Sequence, residues 1–420
     1  MTGWGSGESI VSDGLGSRTG VADAVVVGGG TVGAWCAWFL KQAGLSRVVL
    51  LEQGTLGQGA SSRAAGIVRS QGGTPTAVRL AEWTRAFYRS QSERLAIDSG
   101  FVRQGYYLPC FSEADEEAAR ERLAMQQAER MDVAWVDAAD AEALNPNMAP
   151  GLARGGTFHA EDGWIHPPRN VLAYTAAMLA AGVEVHERTA FLGLEERHGH
   201  LVAVETSRGR LPTGRLVLTG GPELAEVGRR AGTTIPSGGA RHQVAVTAPH
   251  PDLQAGDWPM VFDLQAGLYW RPEEGGLLFG MSNPAEEPGE AREIDGAYLA
   301  LMQERLATLV PVTKNLPLRR IWVGTIDYTP DHLPILGPVL RHGEPVEGTT
   351  VTSAGGHGMM WGPGVSRVAA DLALEGTSAL VDASILGLDR FDGQGRSRLA
   401  TDPIALPFPE VTGQVATGLG

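Results

Sequence analysis

The stretch AVVVGGGTVGAWCAWFLKQAGLSRVVLLEQG, Ala24–Gly54, decides the fold. Its first four residues, Ala24–Val27, are apolar and predict a buried strand, and the apolar residues that follow at helical spacing predict a helix to about Ala43. Gly44 is expected to end that helix, and Val48–Leu51 predicts a second buried strand. The stretch therefore predicts a strand–helix–strand unit of a parallel sheet.

Three glycines occupy the turn between the first strand and the helix. Their spacing, Gly28-x-Gly30-x-x-Gly33, suits a tight turn, close approach of the backbone to a pyrophosphate and close packing of the helix on the sheet. The helix N-terminus adds free N–H groups and partial positive charge. Glu52 follows the second strand, with Gln53 beside it, where a carboxylate accepts hydrogen bonds from a ribose. The pattern predicts a dinucleotide site, the alternative being a structural glycine turn.

The composition of the 420 residues excludes several classes of function. Lys and Arg total 34 and Asp and Glu total 48, which leaves a net charge of −14. We do not expect such an acidic protein to bind nucleic acid or an anionic membrane, because those surfaces require clustered cations. The 2 cysteines form neither a disulfide framework nor a metal quartet, and the sequence has no HExxH pattern, so no metal site is predicted.

The N-terminal residues and the hydropathy of the chain bear on its location. Residues 1–20 lack both a basic region and an apolar core, so they predict a flexible tail rather than a signal peptide. No stretch approaches the roughly 18 uninterrupted apolar residues of a membrane span. Together with the low cysteine content, these features predict a cytoplasmic protein. The sequence does not predict the oligomeric state.

Two further glycine-rich loops follow the first one. LVLTGG (Leu216–Gly221) ends an apolar strand, and SAGGHGMMWGPG (Ser353–Gly364) follows a strand and leads into a helix. Three glycine loops folded onto one ligand indicate a large and tightly held cofactor. An NAD that exchanges in each turnover would not need them, so the loops favour FAD.

The hydrophobic pattern changes between the second and third loops. Arg241–Ser282 consists of short alternating runs separated by turn residues, which predicts an antiparallel sheet. We therefore predict an α/β protein with a Rossmann-like FAD-binding domain and an inserted, mainly antiparallel β-sheet substrate domain flanked by helices. The predicted segments are a flexible tail over 1–20, an FAD-binding domain over 21–90, 151–240 and 322–392, a substrate domain over 91–150 and 241–321, and a loose C-terminal tail over 393–420.

The chain resembles the D-amino-acid oxidase superfamily of FAD enzymes, on its sarcosine oxidase and dimethylglycine dehydrogenase side. The resemblance runs from about Val21 to Phe391 and is carried by AVVVGGGTVG…VVLLEQG, GASSRAAGIVR, LVLTGG, IWVGTIDYTPDHLPILG and SAGGHGMMWGPG. It implies FAD as the cofactor, a small-molecule amine as the substrate, and oxygen or another compound as the electron acceptor.

The resemblance also implies which residues bind the FAD. The glycines of the first loop contact the pyrophosphate, Glu52 contacts the adenosine ribose, and the backbone of Phe191 contacts the adenine. The third loop covers the pyrimidine edge of the flavin, where a helix N-terminus stabilises negative charge. The other implied contacts are Ser61, Ser62, Arg63, Ala65, Gly66, Ile67, Gly220, Gly221, Gly324, Gly355, Gly356, His357, Gly358, Met359 and Met360.

The sequence departs from its relatives at the positions that attach flavin covalently. Where dimethylglycine dehydrogenase-like enzymes have a histidine, this chain has Arg63, and where monomeric sarcosine oxidases have a cysteine, it has Gly324. We therefore predict non-covalent FAD. Leu278 replaces the lysine that assists oxygen reactivity in those oxidases, and neither lysine of this chain, Lys41 or Lys314, matches that position.

Six residues are candidates for contact with the substrate. Arg69 matches the arginine that binds a carboxylate in the relatives, whereas Met360 replaces their carboxylate-binding lysine. Arg271, beside Tyr269, is a second candidate cation, because a guanidinium suits a carboxylate. Structural ion pairs are the alternative for both arginines. The remaining candidates are two histidines, His357 in the third glycine loop and His242 on the predicted sheet, each with a structural role as its alternative.

The resulting functional hypothesis is oxidation of a C–N bond. A secondary or tertiary amine, or an N-methyl amino acid, loses hydride to N5 of FAD, and the imine product is hydrolysed. One alternative is an FAD-dependent dehydrogenase acting on a cyclic amine or a hydroxy group in secondary metabolism. A second alternative, from another class, is a non-catalytic flavoprotein subunit.

Overall fold

The stretch Ala24–Gly54 folds as a strand, a helix and a second strand. The computed structural model describes residues 20–95, 97–253 and 258–409. Strand Ala24–Val27 leads into helix Thr31–Gln42, and strand Val48–Leu51 returns parallel to the first, with Val25 opposite Val49. Every residue of both strands is buried, as expected for parallel strands that are covered on both faces.

These strands lie in the middle of a six-stranded sheet. Five of its strands are mutually parallel, and the sixth, Ile335–Gly337, pairs antiparallel at one edge. In spatial order they are Glu184–His186, Val48–Leu51, Ala24–Val27, Leu216–Leu218, Thr349–Ser353 and Ile335–Gly337. This order is that of an open α/β sheet, in which ligands bind at the carboxyl ends of the strands.

Each face of the six-stranded sheet is covered differently. On one face, an apolar cluster joins the sheet to helices Thr31–Gln42, Pro75–Arg94, Pro167–Ala181 and Gly362–Glu375. On the other face lie helix Leu224–Arg230 and a three-stranded antiparallel sheet formed by Phe191–Arg197, His200–Thr206 and Gly209–Pro212. The sheet is therefore buried between layers, which explains its continuous apolar strands.

A second, eight-stranded sheet lies beside this unit. All of its neighbouring strands pair antiparallel except Met260–Asp263 and Tyr106–Cys110, which run parallel. In spatial order the strands are Leu318–Tyr328, Gly238–Thr247, Gly276–Met281, Leu268–Glu273, Met260–Asp263, Tyr106–Cys110, Gly155–His159 and Ala134–Asp137. Helices Gly296–Leu309 and Ala138–Leu144 pack into its apolar cluster, and helix Glu113–Ala128 lies nearby. The predicted fold class is confirmed.

Two strands do not follow the predicted segment boundaries. Gly155–His159 belongs to the eight-stranded sheet, where Phe158 pairs with Tyr107, although the sequence analysis assigns residues 151–240 to the FAD-binding domain. Leu318–Tyr328 is one continuous strand that crosses the predicted boundary at 321. Strand pairing explains both differences, because hydrogen bonds between distant segments leave no local signal in the sequence.

The remaining elements are short. They are strands Ile67–Val68, Val102–Arg103, Gly163–Trp164, Leu340–Arg341 and Glu344–Pro345, helix Ala60–Arg63, and 3-10 turns Gly221–Glu223, Pro251–Leu253, Pro311–Thr313, Ala383–Ile385 and Leu388–Arg390. Within the described ranges, no helix combines the length and apolar character needed to cross a membrane.

The residues after Asp392 are more ordered than the sequence analysis expects. A loose tail is predicted over 393–420, but Ile404 is 1% exposed and Asp402 is also buried. The Asp402 carboxylate accepts a hydrogen bond from the Ile404 N–H at 2.9 Å, which fixes the local turn. The described part of this segment therefore packs onto the protein. Residues 410–420, like most of the predicted N-terminal tail (1–19), lie outside the described residues.

Candidate functional site

A large pocket lies between the six-stranded and eight-stranded sheets. The carboxyl ends of the parallel strands form one side, as the open-sheet rule requires, and strands of the eight-stranded sheet form the other. The predicted cofactor residues that line it are Gly28, Gly30, Gly33, Glu52, Gln53, Ser61, Arg63, Ala65, Gly66, Ile67, Phe191, Gly220, Gly221, Gly324, Gly356, His357, Gly358, Met359 and Met360. The structure thus brings all three glycine loops together around one cavity.

Two predicted cofactor residues do not line this pocket. Ser62 lies in the short helix Ala60–Arg63, of which Ser61 and Arg63 face the pocket. Gly355 has a φ of +56°, and a Cβ atom there would lie 2.7 Å from the carbonyl oxygen of Leu333. Gly355 therefore serves the turn that carries the third loop.

The glycines of the first loop permit close packing. Gly28 has a φ of +101°, and a Cβ atom on it would lie 2.3 Å from Thr219 Oγ1. A Cβ atom on Gly33 would lie 2.0 Å from the carbonyl oxygen of Gly28, so only glycine allows the helix to approach this closely. At Gly30 the nearest atom to such a Cβ is Ser61 Oγ, at 3.1 Å.

The start of helix Thr31–Gln42 is suited to an anion. Its N-cap residue, Gly30, makes no side-chain hydrogen bond to the first turn, and the first turn contains no acidic residue. The Thr31 N–H donates to Ser61 Oγ at 2.9 Å, which joins this helix to the short helix Ala60–Arg63 at the pocket. The partial positive charge of the helix N-terminus is thus directed at a cavity lined by glycine.

Glu52 is fixed by the backbone of the loops beside it. Its Oε2 accepts from the Gly29 N–H and its Oε1 from the Gly54 N–H, both at 2.7 Å. Each carboxylate oxygen can accept further hydrogen bonds, so the group remains competent to bind ribose hydroxyls.

The two positions at which relatives attach flavin are neighbours in space. A Cβ atom on Gly324 would lie 3.2 Å from Cβ of Arg63. The Trp322 indole N–H donates to the Arg63 carbonyl at 2.8 Å and holds the short helix against strand Leu318–Tyr328. Neither position offers the histidine or cysteine nucleophile that forms the tether in those relatives.

Arg69 is a buried cation with unused hydrogen-bond donors. It is 4% exposed, and its guanidinium carbon lies 5.5 Å from the ring centre of Phe262. Nη2 donates to the Ile404 carbonyl at 3.2 Å, while Nε and Nη1 have no hydrogen-bond partner among the residues that the structure describes. Buried donors without a partner are costly, and a guanidinium suits a carboxylate, so Arg69 is a candidate to bind an anionic group.

His242 and Tyr269 form a buried pair in the same pocket. His242 Nε2 lies 2.8 Å from Tyr269 Oη, and the two rings are nearly parallel, with an interplanar angle of 15°. Burial lowers the pKa of His242 to about 4 and raises the pKa of Tyr269, so both groups are neutral at pH 7. Within the described part of the chain, His242 Nδ1 has no hydrogen-bond partner. The pair is therefore able to accept or relay a proton.

Gly280 allows this pair to meet, and the sequence analysis missed it. It lies on the strand between those of His242 and Tyr269, and a Cβ atom there would lie 2.2 Å from Tyr269 Oη and 3.1 Å from His242 Nε2. Glycine in a strand interior, within GLLFGMS, was the available signal of a close approach.

His357 lines the pocket as a neutral imidazole. Burial, followed by repulsion from Arg69, lowers its pKa well below the ordinary value. Its Nδ1 lies 3.0 Å from the Gly355 carbonyl oxygen, which is only an acceptor, so Nδ1 carries the hydrogen and Nε2 holds the lone pair. Stacking on Trp361, at 3.9 Å between ring centres, fixes the ring.

Arg271 makes its shortest contacts with residues that do not line the pocket. Its Nη1 donates to Glu273 Oε2 at 2.6 Å, and its guanidinium lies 4.1 Å from the ring centre of Trp164. Its Nε and Nη2 lie 3.4 Å from the carbonyl of Ala65, which lines the pocket. Arg271 itself is not among the lining residues, so its structural alternative is favoured and we do not carry it forward as a substrate residue.

Two acidic residues of the pocket also escaped the sequence analysis. Asp327 accepts a hydrogen bond from Ser353 Oγ at 3.0 Å, and burial raises the pKa of its carboxyl group. Burial likewise raises the pKa of Glu223, which follows the second glycine loop. Asp327 lies within IWVGTIDYTPDHLPILG and Glu223 lies two residues after LVLTGG, so position within or beside a recognised motif was the signal available.

One cluster of metal-ligand types lies within the described residues. Ligand atoms of Glu82, His159 and Asp162 all lie within 4.8 Å of one another. His159 Nδ1 is 2.9 Å from Asp162 Oδ1, and Arg85 Nη2 is 2.6 Å from Glu82 Oε2. The carboxylates are thus already paired with protein groups, and the cluster reads as an ion-pair network.

Comparison with known proteins places this geometry in context. A family profile described as FAD dependent oxidoreductase matches residues 23–372. The chain is 27% identical to 4-methylaminobutanoate oxidase (formaldehyde-forming) of Paenarthrobacter nicotinovorans, over 89% of this chain and 46% of that protein. It is 26% identical to sarcosine oxidase subunit beta of Rhodobacter capsulatus, over 89% of each. The chain spans less than half the length of the first of these relatives.

Solved structures agree on the fold. L-proline dehydrogenase from P. horikoshii superposes with a TM-score of 0.81 at 22% identity, covering 90% of this chain and 99% of that one. Glycine oxidase from Geobacillus kaustophilus superposes with a TM-score of 0.76 at 27% identity, covering 88% of this chain and 99% of that one.

Proposed function

The chain belongs to the family of FAD-dependent oxidoreductases, and we propose that it oxidises the C–N bond of a carboxylated amine, such as an N-methyl amino acid. Arg69 is the observation that carries this proposal. A buried guanidinium that lines the pocket and has two nitrogens, Nε and Nη1, without a partner among the described residues is suited to hold a carboxylate. The named oxidases among the relatives support the reaction type.

The pocket residues fit FAD. Gly28 and Gly33 leave no room for a side chain, and the start of helix Thr31–Gln42, where the N-cap residue Gly30 has no side chain, suits the pyrophosphate. Glu52 would bind the adenosine ribose, and the third loop, from Gly356 to Met360, would cover the flavin ring. When bound, FAD supplies the hydride acceptor, and the protein supplies placement and electrostatics.

Arg69 orients the substrate in this scheme. Its guanidinium is held from one side by the Ile404 carbonyl and lies close to the ring of Phe262, so little side-chain freedom remains. A carboxylate that accepts a hydrogen bond from Nη1 fixes the neighbouring C–H bond relative to the flavin, which lowers the entropic part of the barrier. Met360, in place of the relatives' lysine, leaves Arg69 as the cation proposed to bind the carboxylate.

The His242–Tyr269 pair would remove the proton that the amine must lose before hydride transfer. His242 Nε2 and Tyr269 Oη share a hydrogen bond of 2.8 Å, so a proton taken from the amine by one member of the pair can pass to the other. Burial lowers the pKa of His242 to about 4, so the imidazole is neutral above about pH 5 and is too weak a base to retain the proton. The pair would therefore relay the proton towards solvent rather than store it. The imine product is then hydrolysed to a carbonyl compound and a smaller amine.

A second candidate function is a dehydrogenase that acts on a cyclic amine or a hydroxy group and passes electrons to a compound other than oxygen. Leu278 supports it, because this position belongs to an apolar cluster and neither lysine of the chain lines the pocket. Oxygen consumption and anaerobic dye reduction, measured side by side, separate the two activities. We further propose a cytoplasmic location, on the two free cysteines, and FAD bound without a covalent link.

The proposal is tested by anaerobic reduction of the flavin. The purified protein is mixed with N-methyl amino acids, D-amino acids and cyclic amines, and bleaching of the flavin absorbance is followed. Arg69→Ala should raise the KM of carboxylated substrates about 100-fold or more, with little effect on uncharged amines, because a charged hydrogen-bond pair is lost. The exposed Arg94 gives the matched control, Arg94→Ala. Failure of every amine to bleach the flavin excludes the proposed function.

A further inference from the structure

The segment Thr401–Pro409, here called the C-terminal segment, crosses the pocket between two fixed ends. At its beginning, the Asp402 N–H donates to the Asp331 carbonyl at 3.1 Å, and the Asp402 carboxylate caps the Ile404 N–H. Asp331 is itself fixed by a buried ion pair with Arg390 at 2.7 Å. The segment therefore starts from a rigid part of the molecule.

The end of the segment is fixed by an aromatic residue. Phe408 stacks on Tyr328, with 5.0 Å between ring centres, and on His332, with 5.4 Å. Pro407 packs against the hairpin of the eight-stranded sheet, where a Cβ atom on Gly267 would lie 2.8 Å from Pro407 Cδ. The C-terminal segment thus links the third glycine loop region to the eight-stranded sheet.

Between these ends, Ile404 and Leu406 line the pocket. The Ile404 side chain is 1% exposed and belongs to the apolar cluster that contains Phe262 and Tyr269. Its own carbonyl accepts the hydrogen bond from Arg69 Nη2 at 3.2 Å. One residue therefore supports the proposed carboxylate-binding cation and, through its side chain, forms the adjoining apolar wall.

We propose that Ile404 is a specificity-determining residue, which limits the size of the substituent on the carbon beside the substrate carboxylate. This inference rests on the proposed function. A carboxylate bound by Arg69 places its neighbouring carbon next to the wall that Ile404 forms, because the Ile404 carbonyl and the carboxylate share one guanidinium. Ile404 of the C-terminal segment thus makes the pocket selective for substrates with small or unbranched apolar substituents.

The expected effect follows from the carbon atoms that each substitution removes. Ile404→Ala deletes three carbons from the wall, and one methylene in an apolar pocket changes discrimination by about 10-fold or more. We expect the ratio of kcat/KM for a long over a short side chain to rise at least 10-fold in Ile404→Ala. Ile404→Val, which deletes one methyl group, should shift the same ratio by a smaller factor in the same direction.

The experiment uses the full chain with FAD bound. Acetate, propionate, butyrate and valerate are titrated against the flavin absorbance to give Kd values without turnover, and N-methyl amino acids of increasing side-chain length give kcat/KM. The matched control is Ile385→Ala, at an isoleucine that is 47% exposed. Flavin content and melting temperature are recorded for each variant. We expect the length of the tightest-binding acid to increase only in the Ile404 variants.

The outcomes separate this inference from the proposed function. If no amine bleaches the wild-type flavin, the proposed function fails. The carboxylate titrations still measure the size of the pocket beside Ile404. An unchanged ranking of the acids in both Ile404 variants, or a wild type without length-dependent binding, overturns the inference. Loss of flavin or of folding in both variants also overturns it, because Ile404 would then belong to the structural core.

Discussion

Gly280 provides a sharp test, because a single added carbon is directed at the His242–Tyr269 pair. A Cβ atom on Gly280 would lie 2.2 Å from Tyr269 Oη, and an ordinary contact requires at least 3.4 Å. In Gly280→Ala the tyrosine must move, and the hydrogen bond of 2.8 Å to His242 Nε2 is then lost.

The magnitude follows from two contributions. Overpacking of a buried site and loss of a buried hydrogen bond together destabilise the protein by about 3 kcal/mol. If the pair relays the proton of the amine, the rate of flavin reduction should also fall about 100-fold, which is the usual contribution of a positioned acid or base.

Two measurements check both effects. Denaturant unfolding gives the change in free energy, and anaerobic stopped-flow mixing with the best amine gives the rate of flavin reduction. Gly193→Ala is the matched control, since Gly193 also lies in a strand and a Cβ atom there has its nearest contact at an ordinary 3.4 Å. A Gly280→Ala protein with wild-type stability and wild-type reduction rate would refute the reasoning.

The remaining predictions concern pH, an ion pair and the cofactor link. Burial lowers the pKa of His242 from 6.5 to about 4, so the unfolded state binds more protons between these values. The free energy of unfolding should therefore fall by about 3 kcal/mol as pH drops through this window, and His242→Asn should reduce the fall. Arg390→Ala leaves buried Asp331 unpaired and should destabilise by about 3–5 kcal/mol, against less than about 1 kcal/mol for the exposed Arg396→Ala, both from denaturant curves. Acid precipitation should release all FAD into the supernatant, and a yellow pellet would contradict the non-covalent prediction.

The grouping of the candidate cofactor residues around one pocket was largely predictable because the signals are local. The three glycines of the first loop act within six residues, and the geometry at Gly28 and Gly33 agrees with the packing reasons inferred from their spacing. Glu52 was expected at the end of the second strand and lies there. Its bonds to the N–H groups of Gly29 and Gly54 were not expected, because they depend on the path of the loop.

The substrate side was less predictable. Arg69 and Arg271 have similar sequence arguments, but only the structure shows that Arg271 is paired with Glu273 while Arg69 keeps free donors. The expectation of a loose tail after Asp392 was wrong for the described residues. Proline and glycine content does not show that Ile404 is buried at the wall of the pocket.

The sequence by itself determined the strand–helix–strand unit, the glycine loops and the acidic residue that make this a dinucleotide fold. Those features follow from hydrophobic periodicity and from backbone geometry over a few residues. Only the tertiary structure decided which distant residues are in contact: Arg63 with Gly324, Gly280 with the His242–Tyr269 pair, and Arg69 with the carbonyl of Ile404. Such meetings depend on strand register and on packing between sheets, which short stretches of sequence do not encode.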